Sequence, residues 1–185
     1  MLVFVSDRGL GAPTGSVPLP PETRRLARNR GLEAVCILRG GVHKGHVATF
    51  AERFPSRTGD HAGWIGPLAG KAWTALDLVN HGGFDIVSCA GLPDGSLLLL
   101  ERRFRWSEML SGVRIQLRHV RAEDLRAGVQ IQGEMILEAD LGHEIDNLEG
   151  LAVHRGPAGE TVLTMISDDN FNFFHRLDQP TFNTT

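Results

Sequence analysis

The chain has 185 residues, 42% hydrophobic and 22% charged, which suits one domain with a core of ordinary size. Its 19 basic and 22 acidic side chains give a formal net charge of −3, so no global basic field exists to attract nucleic acid. No run approaches the ~18 apolar residues that span a bilayer. The start lacks the basic lead of a signal peptide, so the chain as written is expected to stay in the cytosol.

In chain order, residues 2–5 form a short apolar run that reads as a strand, and residues 21–27 a short charged helical turn. The first hairpin follows, with apolar runs at 31–38 and 46–53 around a turn at 39–45; Glu33 opens it and Glu52 closes it. Two strand-like runs, 62–68 and 72–78, come next. The second hairpin has runs at 84–92 and 97–102, bracketed by Asp85 and Glu101. It turns at Pro93-Asp94-Gly95, where Pro presets φ and Gly accepts φ > 0. An insertion fits at 103–112. Residues 113–120 alternate apolar and polar, the pattern of an outer, half-exposed strand. A second charged helical turn at 122–126 and a strand at 133–138 follow. The third hairpin, 147–153 and 161–168, turns at 156–159 and is bracketed by Glu149 and Asp168.

Cys36 and Cys89 each sit inside an apolar run and read as small hydrophobes in buried strands, in preference to a disulfide or a reactive thiol. His43 and His46 fall in a turn and read as solvated loop residues. Trp64 and Trp73 suit packing between sheets; Trp106 is undecided. No GxSxG, HExxH, P-loop or GxGxxG motif occurs.

The recurring hairpin, followed twice by two further strands, predicts an all-β fold: a partial β-propeller of four-stranded antiparallel blades. One domain is expected over 1–185, with blades at about 32–78, 84–139 and 147–177 and residues 1–21 as a remnant of a preceding blade. The open ends of a hairpin's strands lie side by side, and the first strand of a propeller blade lines the central channel. Glu33, Glu52, Asp85, Glu101, Glu149 and Asp168 are therefore expected at one rim of that channel, near Arg53, Arg102, Arg103, Asp146, Asp169 and Asn170. Crowded carboxylates stay ionised only beside cations or guanidinium groups. Such a ring suits Ca²⁺, and its arginines suit phosphate or carboxylate. The alternative is that the acids pair with neighbouring arginines and cap strand ends.

Four segments carry a resemblance: residues 29–34 (NRGLEA), 92–104 (LPDGSLLLLERRF), 146–153 (DNLEGLAV) and 167–171 (SDDNF). Together, over about 18–171, they resemble the phytase-like, "esterase-like activity of phytase" family. The resemblance implies a propeller and a hydrolase, since the family is named for a distant similarity to calcium-dependent propeller phytases. Its members are mostly bacterial and often exported. They usually carry more blades before residue 18 and a further strand after residue 177, so the chain is expected to be clipped at both ends, with open edges that favour self-association.

On this footing the expected activity is metal-assisted hydrolysis of phosphate or other esters, with a small anionic ester as substrate. Glu101, Arg102, Arg103 and Asp168 are the expected catalytic residues. Arg53, Asn147 and Asn170 are expected to bind substrate, and Glu33, Asp85, Asp146, Glu149 and Asp169 to hold calcium. The alternatives are a non-catalytic propeller that binds a small molecule or protein, and an inactive fragment.

Overall fold

A computed structural model describes residues 1–3, 13–26, 31–55, 60–70, 72–104, 113–140, 147–168 and 181–184. Within them the protein is all-β, and none of its sheets closes on itself. Strands β1 (Leu2–Val3) and β2 (Gly15–Ser16) make a short ribbon. Strands β3 (Leu32–Ile37), β4 (His46–Pro55), β5 (His61–Pro67) and β6 (Thr74–Leu78) form an antiparallel meander, the first sheet. The second sheet is a meander of β7 (Asp85–Gly91), β8 (Leu97–Phe104) and β9 (Val113–Val120), with β11 (Glu134–Asp140) at its edge. The connection from β9 to β11 carries β10 (Gln130–Ile131), which reaches back and pairs in parallel with β6, lacing the outer edges of the two sheets. The third sheet has β12 (Leu148–Arg155), β13 (Thr161–Ser167) and β14 (Thr181–Thr184). Its third strand thus lies beyond the boundary expected near residue 177. The expected helical turns are single 3-10 turns at Pro21–Arg25 and Ala122–Asp124.

The sheets stack because alternate residues of one strand face opposite sides. On β8, Leu97 and Leu99 pack toward the first sheet with Phe50, Ile65 and Leu76, whereas Leu98 and Leu100 pack toward the third with Leu163 and Met165. The first strands β3, β7 and β12 are neighbours. His61, buried on β5, donates from Nε2 to the Phe84 carbonyl at 2.7 Å. Trp64 packs with Ala51 and Ala62 on the far face of the first sheet, and Trp73 packs against them. Trp73 also donates to the Pro18 carbonyl at 2.9 Å, which anchors the segment before β3 across that face.

Two expectations need correction. Residues 113–120 do alternate, but the polar face is not exposed: Gln116 is 3% and Arg118 1% accessible. Arg118 is kept in place by an ion pair with Glu101 and by donation to the carbonyls of Val79 (2.7 Å) and Gln132 (3.1 Å). A buried charge is tolerated when it is paired and hydrogen-bonded, and here it also ties β9 to the end of β6. Cys36 and Cys89 are not free apolar fillers. They form a disulfide with Cα atoms 5.7 Å apart, a separation within the usual range for such bonds, and it staples β3 to β7.

The turns of the first two hairpins also touch. A Cβ at Gly40 would come 2.0 Å from the Pro93 carbonyl oxygen, and one at Gly95 2.8 Å from the Gly41 Cα. Backbone cannot move aside as a flexible side chain can. Gly40→Ala is therefore expected to cost about 1–3 kcal/mol, the usual range for overpacking. A lower urea midpoint with an unchanged slope would show it; an unchanged midpoint would mean the turns are not in contact.

Candidate functional site

The pairing registers decide which hairpin ends are equivalent. In each hairpin one residue of the first strand is skipped: Glu33 between Leu32 and Ala34, Val87 between Ile86 and Ser88, and Glu149 between Leu148 and Gly150. Such a bulge bends the strand and re-aims its side chains. The residue before the bulge pairs with Ala51, Glu101 and Ser167 respectively. One position further along the second strand stand Glu52, Arg102 and Asp168. Glu101 is thus one residue out of step with the two acids it was expected to match, and a one-residue step turns a side chain to the opposite face. Asp85 is likewise displaced: Val87 occupies the bulge held by Glu33 and Glu149 elsewhere, while Asp85 pairs with Arg102.

Glu101 therefore faces the first sheet. It is 1% exposed, and its carboxylate is taken up by Arg118 and by the Gln116 side-chain amide. Its carboxylate is thus buried and engaged on the face of β8 opposite to Arg102. Gln116 and Arg118, which complete this network, were missed because they lay in a run that reads as half-exposed.

Arg102 faces the third sheet. Its Nη1 donates to Asn147 Oδ1 and Glu149 Oε1. Asn147, 6% exposed, donates in turn from Nδ2 to Glu149 Oε1 at 2.9 Å and to the Asp168 carbonyl at 3.4 Å. The Asp168 amide donates to the Asn147 carbonyl at 2.9 Å, closing the end of the third hairpin. The Ser88 hydroxyl accepts from the Leu151 amide at 3.1 Å and pins β12 against β7. Arg102, Asn147, Glu149 and the Asp168 backbone thus converge where the second and third sheets meet, with Asp85 opposite Arg102 on the adjacent strand. The Arg102 and Glu149 side chains keep 23% and 38% of their surface. The printed bonds of Arg102 all run through Nη1, and the guanidinium is partly exposed beside the Glu149 carboxylate.

The other expected site residues do not join this cluster by any described contact. Arg103 turns away, donating to the Gly82 carbonyl at 2.9 Å with its guanidinium 4.8 Å above the Phe84 ring. Glu33 is exposed on β3. Asp146, Asp169 and Asn170, and the side chain of Arg53, lie outside the described residues, as does Trp106. The His43 ring donates to the Leu125 carbonyl at 2.8 Å, as befits a loop residue.

Among the described residues no three His, Cys, Asp or Glu side chains gather as a metal site. The cluster's donors are hard oxygens of the kind calcium takes, but Asn147 and Glu149 already hold Arg102, so the described residues alone do not fit the ion. No described helix is long and apolar enough to cross a membrane.

An all-β protein of stacked antiparallel meanders, with an arginine–carboxylate cluster where two sheets meet, defines the class. The family model for phytase-like proteins, described as esterase-like activity of phytase, matches residues 2–171. The chain belongs to that family. No curated protein and no solved structure matched it.

Proposed function

We propose that this protein is an ester hydrolase acting on phosphate or other anionic esters at the Arg102 cluster. The observation that carries the reading is the partly exposed guanidinium of Arg102, held by Asn147 and Glu149 where two sheets meet, a group suited to an anionic oxygen pair. Asn147 fixes the orientation of Arg102. Asp168, exposed at the end of the same hairpin, is the carboxylate we assign to assist an attacking water as general base. Family membership supports hydrolase-like chemistry. Calcium is proposed on the ligand set assigned from sequence, Glu33, Asp85, Asp146, Glu149 and Asp169, with Arg53, Asn170 and Arg103 as further proposed contributors.

The successive meanders support reading the sheets as propeller blades, since their first strands adjoin and the same bulge recurs in each hairpin. Val35 and Ile37 on β3 and Ile166 on β13 expose 45%, 43% and 50% of their surface, which supports self-association through the outward faces. Sedimentation velocity showing only monomer at micromolar concentration would remove that part.

Turnover of phytate and of nitrophenyl esters, with and without chelator, tests the main reading. Hydrolysis is expected for the wild type, with Arg102→Ala raising KM at least about tenfold, the value of a lost charged hydrogen bond. Loss of turnover with chelator and its return with calcium would support the metal. A second reading, a propeller that only binds an anion, is favoured by the engagement of Glu149 with Arg102 and Asn147, which leaves that carboxylate committed. Thermal stabilisation by phosphate without turnover on any ester would select it.

A further inference from the structure

A second concavity lies at the opposite ends of the same strands. It is a cleft of about 450 Å³ between the second and third sheets, walled by Leu92, Leu98, Ile136 and Leu163, with Asp94 and His119 also lining it. Its volume falls in the range of small-molecule sites. The sheets meet tightly nearer the strand centres through Leu100, Leu117 and Met165, and they part at this end.

The β11 edge opens toward this space for a definite reason. Met135 pairs with Arg118 and Leu137 with Leu117, so Ile136 is an extra, bulged residue. A bulge re-aims its side chain, and Ile136 lines the cleft while 46% exposed. Leu98 and Leu163 form the floor of the cleft, each 3% exposed, so Ile136 is the open part of its wall and the surface that an apolar ligand would cover.

The polar end is held in place as well. Asp94 Oδ1 accepts from the Ser96 amide at 2.9 Å and from the Ser96 hydroxyl at 2.6 Å. These bonds hold its carboxyl below the usual range, with a smaller contribution from His119, so the group is charged at neutral pH. Oδ2 carries no partner among the described residues. The cleft therefore joins an apolar wall to one fixed negative charge.

We propose that this cleft binds a small amphipathic amine, its apolar body lying between Leu98, Ile136 and Leu163 and its ammonium on the Asp94 carboxylate. The site is separate from the Arg102 cluster and opposite to it in charge preference.

Methyl-resolved NMR with 2-phenylethylammonium as probe tests this. Saturable shifts are expected at Leu98, Ile136 and Leu163, with 2-phenylethanol and 3-phenylpropanoate binding at least about tenfold more weakly, the value of a charged hydrogen bond. Asp94→Asn keeps the acceptor for Ser96 and is expected to bring the amine down to the affinity of the alcohol. Ile136→Trp fills the cleft from an exposed position and should block all three probes. The proposal is overturned if the three methyls do not shift, if the carboxylate binds as well as the amine, or if either variant binds the amine like the wild type.

Discussion

Removing the Cys36–Cys89 bond is expected to lower Tm by about 10 °C. The two cysteines are 53 residues apart in sequence, and closing a loop of that length restricts the unfolded chain by about 4 kcal/mol in the chain-entropy account. At roughly 2–4 °C per kcal/mol for a chain of this size, the shift follows. The native side of the balance points the same way. β3 and β7 lie in different sheets and share no ladder, so side-chain packing and this bond are what hold them face to face. Calorimetry of the wild type, Cys36→Ser, Cys89→Ser and the double variant decides it. Both single variants should match the double, because one bond is lost in every case. Additive single effects, or a shift under about 2 °C, would mean the thiols act only as buried filler. Such a bond persists in oxidising compartments and is rare in the cytosol.

The hairpins were legible because their signals are local: five to eight apolar residues bounded by turn chemistry, with Pro93-Asp94-Gly95 the clearest. The meeting of Arg102, Asn147, Glu149 and Asp168 was legible for the same reason, since hairpin ends must lie together. What could not be read was register. The spacing of the bracketing acids treats Glu101 as the counterpart of Glu52 and Asp168, but pairing depends on where each strand bulges, and a bulge leaves no composition signal. The second hairpin's shorter span was the available clue: Leu32 reaches across to Ala51, whereas Ile86 reaches only to Glu101. The buried charge on β9 was hidden by a sound rule applied to the wrong surroundings. Alternation identifies two unlike faces, but only tertiary packing says whether the polar one meets water or, as for Arg118, a carboxylate and two carbonyls. The disulfide was hidden likewise, because an apolar run predicts burial for a cysteine and says nothing of a second one on a facing strand.

Glu101→Ala is expected to destabilise the protein by about 3–5 kcal/mol, the cost of leaving a buried charge without its partner. Arg118, 1% exposed, would keep its two carbonyl acceptors but lose the carboxylate that balances its charge. The paired change Glu101→Leu with Arg118→Met removes both charges and fills similar volume, so it should recover most of the loss, as buried ion pairs often exchange for apolar groups at little net cost. Urea melts of the wild type, the single variant and the pair measure the coupling. The same set separates the structural role from a catalytic one. With Glu101 acting only as a buried ion, the paired variant folds and retains whatever turnover or anion binding the Arg102 cluster has, since Arg102 leaves the opposite face of β8. If the paired variant is stable yet loses that function while Arg102, Asn147 and Glu149 are intact, Glu101 takes part in the chemistry and the assignment by face is wrong.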